Sequence, residues 1–135
     1  MAKHDGSLRV EMMRSQLGRV RGLGAARSGV AVWWAERVTS IALIPLTVWF
    51  VVSILLLLGL PQAAVHAWAG NPVNAVLLLA LVLITFHHMQ LGLQVIIEDY
   101  IHQESVRMIS QLAVKGVTGL LALASLVASL KLIFF

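Results

Sequence analysis

Three long apolar stretches dominate the chain, separated by two short polar intervals and preceded by a basic, glycine-punctuated segment. The stretches cover about residues 35–60, 72–97 and 110–134. Each meets the requirement of about 20 residues for a helix to cross the hydrocarbon core. The pattern therefore predicts an all-α integral membrane fold of three transmembrane helices. Pro45 lies inside the first span, where a proline is tolerated if neighbours satisfy the freed carbonyl. Pro61 is expected to close that span. Asn71-Pro72 is a strong start for the second, with Asn71 as cap and Pro72 at the first helical position. Gly116 and Gly119 in the third, extended by Ala113, Ala122 and Ser125, predict a small-residue face for close helix packing. Lys131 can snorkel outward.

Charge orients this pattern. Of ten Lys and Arg, seven fall in residues 1–37, as the positive-inside rule expects of a cytoplasmic segment. Residues 61–71 hold no Asp, Glu, Lys or Arg, whereas residues 98–111 are polar and charged. The expected topology has a cytoplasmic N-terminus, a periplasmic 61–71 loop, a cytoplasmic 98–111 loop and a periplasmic C-terminus, in the inner (cytoplasmic) membrane of a bacterium. Residues 1–30 read as a basic cytoplasmic arm, and residues 31–135 as the anchor domain. The first thirty residues lack the apolar core of a cleavable signal, and Trp33 and Trp34 suit the headgroup region.

Composition excludes several classes. The chain has 135 residues, of which 59% are hydrophobic and 12% charged. That is too little polar surface for a separate soluble catalytic domain. The pI near 10.4 reflects the juxtamembrane cluster, so nucleic acid is not the expected partner. With no cysteine, disulfides, thiolate metal sites, Cys-ligated clusters and covalent CxxCH haem attachment are all excluded.

The candidate chemistry lies in the second span, in the run from Phe86 to Tyr100. Ionisable groups at membrane depth are costly and normally face protein, water or a ligand. His88, Leu91, Gly92, Val95 and Asp99 share one helical face, while His87, Gln90, Gln94 and Glu98 form a neighbouring polar one. A glycine one turn from an inward imidazole leaves room for a flat ligand, and haem is the evident candidate. A six-coordinate haem would need a second ligand, from His87, His66 or another chain; His87 and His88 point about 100° apart, so these two cannot both ligate one iron from opposite sides. Asp99-Tyr100 suits a quinone, since a phenol can donate to a carbonyl and a carboxylate can relay protons. An ordinary interfacial tyrosine beside a helix-terminal acid is the plainer alternative.

The run His-x3-Gly-x6-Asp-Tyr, here His88, Gly92, Asp99 and Tyr100, resembles the hydrophobic membrane anchor subunits of bacterial succinate dehydrogenase. So does Ala26-Arg27-Ser28-Gly29 followed by Trp33-Trp34-Ala35-Glu36-Arg37-Val38-Thr39. The resemblance covers the chain from about residue 20 onward. It implies a non-catalytic anchor for a flavoprotein and an iron–sulfur subunit, paired with a cytochrome b-type membrane subunit. It implies that His88 is an axial ligand of a haem b shared with that cytochrome subunit, which supplies the second histidine. It further implies that Tyr100 and Asp99 bind ubiquinone and that Arg37 lies near a haem propionate. Some members carry a histidine two residues after the glycine matching Gly29. This chain has Ala31 there, so no second propionate contact is implied. The anchor of a quinol:fumarate reductase shares these features and is the alternative; a structural membrane protein without cofactor is a third reading.

Overall fold

The computed structural model describes residues 29–135. Four helices follow in order: α1 (Gly29–Leu57), α2 (Gln62–Ala69), α3 (Pro72–Tyr100) and α4 (Glu104–Phe134). The arm expected over residues 1–30 falls almost wholly outside the described residues.

α1, α3 and α4 are long and apolar enough to cross a membrane. At about 1.5 Å per residue, helices of 29 residues are roughly 44 Å long, well beyond a hydrocarbon core of about 30 Å. Their ends must project from it or the helices must tilt. This explains two departures from the sequence reading. α1 begins at Gly29 rather than near residue 35, with Trp33, Glu36 and Arg37 already helical. Most of the 98–111 interval is helix as well, and only Ile101–Gln103 separates α3 from α4. Polarity marks where the chain leaves lipid, whereas the helix continues for as long as its backbone bonds are made. Glu104 in the first turn of α4 favours that continuation by opposing the helix dipole.

The interval between α1 and α3 is also more ordered than its loop-like sequence suggests. α1 ends at Leu57, and a turn through Gly59, at φ 77°, leads to Pro61. Only glycine adopts that backbone region at little cost. α2 then packs its Ala69 with no solvent exposure. The Asn74 amide donates to Trp68 O at 2.9 Å, and His66 Nδ1 lies 3.1 Å from Leu132 O near the end of α4. Trp68 stacks on Trp49 of α1, with centroids 5.7 Å apart. One short helix therefore touches all three spans. Asn71 caps α3 as expected, its side chain accepting from Val73 N–H.

Backbone packing is concentrated between α3 and α4. The face of α4 turned inward is not the one that the glycines indicate. A Cβ added at Gly116 or Gly119 would meet nothing within 4 Å. Thr118, by contrast, is 4% exposed, and Gln111, Val114, Ala122, Ser125 and Ser129 on its face are half-buried. Small residues at steps of three drift by about 60° per step, so the run from Ala113 to Ser125 wraps about two-thirds of the way around the helix. The inward face instead follows the mixed three- and four-residue steps of an α-helix. Ile41, Ile44, Leu56, Leu112, Leu120 and many others are exposed, as lipid contact allows.

Ala69→Leu should destabilise the α2 junction by about 1–3 kcal/mol, the usual cost of overpacking. Ala63→Leu, on the exposed side of the same helix, should be nearly neutral. Unfolding midpoints in detergent would check the contrast.

Candidate functional site

α1 and α4 start, and α3 finishes, at one end of the bundle, because the connections are short and successive spans alternate in direction. That end carries Trp33, Trp34, Glu36, Arg37, Glu98, Asp99, Tyr100 and Glu104. His88 lies twelve residues from Tyr100 along α3, which is about 18 Å into the span.

The structure separates the two faces of α3 by what they touch. His88 is half-buried and turns toward α1, where its Nδ1 lies 2.9 Å from Thr39 Oγ1. The same hydroxyl oxygen is 2.8 Å from Ala35 O and 3.0 Å from Glu36 O, within its own helix. The neighbouring polar face turns toward α4. Glu98 Oε1 accepts from Gln94 Nε2 at 2.9 Å and from Gln111 Nε2 at 3.1 Å. This face therefore closes the α3–α4 hairpin directly beside Asp99-Tyr100. His87 is exposed.

Gly92 follows His88 by one turn, and no atom lies within 4 Å of where its Cβ would stand. The expected room beside the imidazole is present. Among the described residues, no three of His, Cys, Asp or Glu converge as a metal site. His66 is at the opposite end of the bundle. Its ring nitrogens face Leu132 O and Gln62 Nε2, which removes it as a second ligand to the metal that His88 would hold.

Tyr100 is 79% exposed, and Asp99 is exposed beside it. Neither is enclosed by this chain. Arg37 holds its guanidinium over the Trp33 ring, 5.4 Å from the centroid, and Trp33 in turn meets Trp34 edge-on at 5.2 Å. Arg37 and Thr39 stand about 200° apart around α1, so Arg37 does not share the side of α1 that touches His88.

The fold therefore brings His88 and Gly92 together, with Asp99-Tyr100 and Arg37 at the nearer end. The sequence reading missed Thr39 and Gln111. Thr39 closes the Trp33–Thr39 segment that carries the resemblance, but a threonine in an apolar helix normally bonds its own backbone, so the match by itself pointed to no partner for it. Gln111 offered a weak signal, as a lone amide one span away from the acid–amide face of α3.

Comparison with known proteins adds an independent line. Residues 11–128 match the family described as succinate dehydrogenase/fumarate reductase transmembrane subunit. A succinate dehydrogenase hydrophobic membrane anchor subunit of Rickettsia bellii is 29% identical over 122 residues, covering 90% of this chain and 94% of that protein. Its counterpart from Rickettsia conorii is 33% identical over 95 residues, 70% of this chain and 75% of that one. That of Paracoccus denitrificans is 33% identical over 79 residues, 58% and 61% respectively. No solved structure gives a significant match.

Proposed function

The chain belongs to the succinate dehydrogenase/fumarate reductase transmembrane subunit family, and from that premise we propose that it joins a flavoprotein, an iron–sulfur and a cytochrome b-type subunit to carry electrons from succinate to ubiquinone. It is a membrane anchor and a multi-pass protein of the inner membrane. The relatives named above are succinate dehydrogenase anchors, which favours the succinate-oxidising direction over quinol:fumarate reduction. Succinate oxidation itself belongs to the soluble subunits. This chain holds them at the membrane and completes the quinone end of the path.

The observation that carries the reading is the half-buried His88, held through Nδ1 and one turn from the open side of Gly92. An imidazole so held keeps Nε2 as the remaining ligand atom, and a residue without a side chain beside it admits a flat macrocycle. His88 would thus be the residue by which this chain holds the iron of haem b, with the second ligand coming from the cytochrome subunit. Haem b, when bound, supplies a one-electron redox centre within the membrane. Arg37 would be the cation for a propionate that reaches past the edge of α1, since its guanidinium now lies over Trp33 on the side away from Thr39. Its present cation–π contact is worth about 0.5–1 kcal/mol at an exposed site, less than a charge-assisted bond to a carboxylate offers.

Tyr100 donates a hydrogen bond to a quinone carbonyl, and Asp99 beside it relays a proton. Because the phenol is exposed in this chain, the pocket walls come from other subunits. The quinone end of the bundle is the cytoplasmic one, where the α3–α4 turn meets the soluble subunits. This places α2 and the C-terminus in the periplasm.

Three outcomes test this reading. In the assembled complex, His88→Ala should strongly perturb the low-spin haem spectrum of the dithionite-reduced protein, and His87→Ala much less. The reverse ranking would overturn the ligand assignment. Tyr100→Phe removes one hydrogen bond, typically about 0.5–1.5 kcal/mol or roughly two- to twelvefold. It should lower succinate:quinone turnover while leaving reduction of an artificial acceptor at the flavin intact; equal loss of both would point to assembly, and no loss to a plain interfacial anchor. Single cysteines at Ala67 and Ser105, both exposed, should react with impermeant reagents from opposite faces of the membrane. Reaction from the same face would rule out the topology.

A further inference from the structure

A single hydroxyl proton decides how the Thr39–His88 contact is made. Thr39 Oγ1 stands within hydrogen-bond distance of three atoms: Ala35 O at 2.8 Å, Glu36 O at 3.0 Å and His88 Nδ1 at 2.9 Å. The two carbonyl oxygens carry no proton, so contacts this short require the hydroxyl to donate to them. A threonine in a helix commonly makes this bond to the carbonyl one turn back. The hydroxyl has one proton and two lone pairs. Once the proton is directed into the α1 backbone, the oxygen can only accept from the third neighbour.

We infer that Thr39 is a positioning residue for the haem ligand: its oxygen accepts from Nδ1–H of His88, fixes that tautomer and leaves the Nε2 lone pair for the iron. The inference rests on the proposed ligand role of His88 and deepens it. The opposite arrangement has the hydroxyl donating to a bare Nδ1. It would leave two oxygen acceptors facing each other at 2.8 Å with no proton between them, and would put the proton on Nε2, where it blocks ligation. A metal-bound histidine ordinarily donates its other ring N–H to an acceptor that sets ring orientation and raises ligand basicity. Here that acceptor is supplied from another helix, so one bond both orients the imidazole and ties α1 to α3.

The position also couples two tasks within α1. Thr39 is two residues from Arg37 and faces the other way around the helix. A rotation of α1 that moved Arg37 would therefore also move the acceptor under His88.

The test compares Thr39→Val and Thr39→Ser in the assembled complex, beside His88→Ala. Valine keeps the volume and loses the acceptor; serine keeps the acceptor and loses the methyl group. With valine, the haem midpoint potential should rise, because a ligand stripped of its acceptor donates less charge and stabilises the ferric iron less. The low-spin electron paramagnetic resonance signal should shift, and haem retention should weaken by roughly 10–100-fold. Serine should restore all three. A valine variant matching the wild type in all three, or a serine variant as altered as valine, would overturn the inference. If His88→Ala itself left the spectrum unchanged, the ligand reading would fail; if it acted and Thr39→Val did not, the inference about Thr39 alone would fail. Should the valine variant not assemble, 15N chemical shifts of labelled histidine in the reduced wild-type complex decide the point. A protonated Nδ1 supports the inference, and a protonated Nε2 with bare Nδ1 overturns it.

Discussion

Backbone polar groups cannot be left unpaired in hydrocarbon, and the rest of this structure follows from that constraint. It fixes the spans as helices that run on past the hydrocarbon core. It also takes up several of the polar side chains. The hydroxyls of Thr39, Ser40, Thr118 and Ser129 all donate to carbonyls one turn back in their own helices. Lipid gives no hydrophobic drive to bring one helix to another, so the relative placement of helices falls to the few polar groups left over. In this chain they are His88 with the acceptor side of Thr39, the acid–amide cluster of Gln94, Glu98 and Gln111, and the contacts of α2.

These contacts divide between the two ends of the molecule. One end is closed by the chain itself, where Ala69 is fully covered, His66 reaches Leu132 and Trp68 lies on Trp49. The other end keeps Tyr100, Asp99 and Arg37 open. The division suits the chemistry proposed for each end: a quinone site shared among subunits would need unfinished walls, and a haem shared with a second membrane subunit would need a ligand face left open by this chain.

The three spans, their order and the residues of interest were legible in the sequence because long apolar runs and ionisable groups inside them are strong signals. Asn71-Pro72 gave the start of α3 to the residue. Helix ends were less legible. Polarity reports the lipid boundary, so Glu104–Gln111 reads as a loop although it is helix, and residues 62–69 read as a loop although their buried side carries Ala69. The small-residue run misled because spacing by three does not stay on one side of a helix. Tertiary partners were the least legible of all: Thr39 looks like any threonine in an apolar helix until His88 is found opposite it.

Beyond its contact with α2, α1 behaves as a lever restrained part-way along by the Thr39–His88 contact. If α1 tilts by 5° about its Trp49 contact with α2, its far end at Gly29, roughly 30 Å away at 1.5 Å per residue, moves by about 2.6 Å. A displacement of that size spans the difference between a made and a broken hydrogen bond, yet costs almost no contact at the pivot. A flat stacked pair such as Trp49–Trp68 would absorb a tilt of that size by sliding, so the open end would shift while the order of the spans along the membrane is kept.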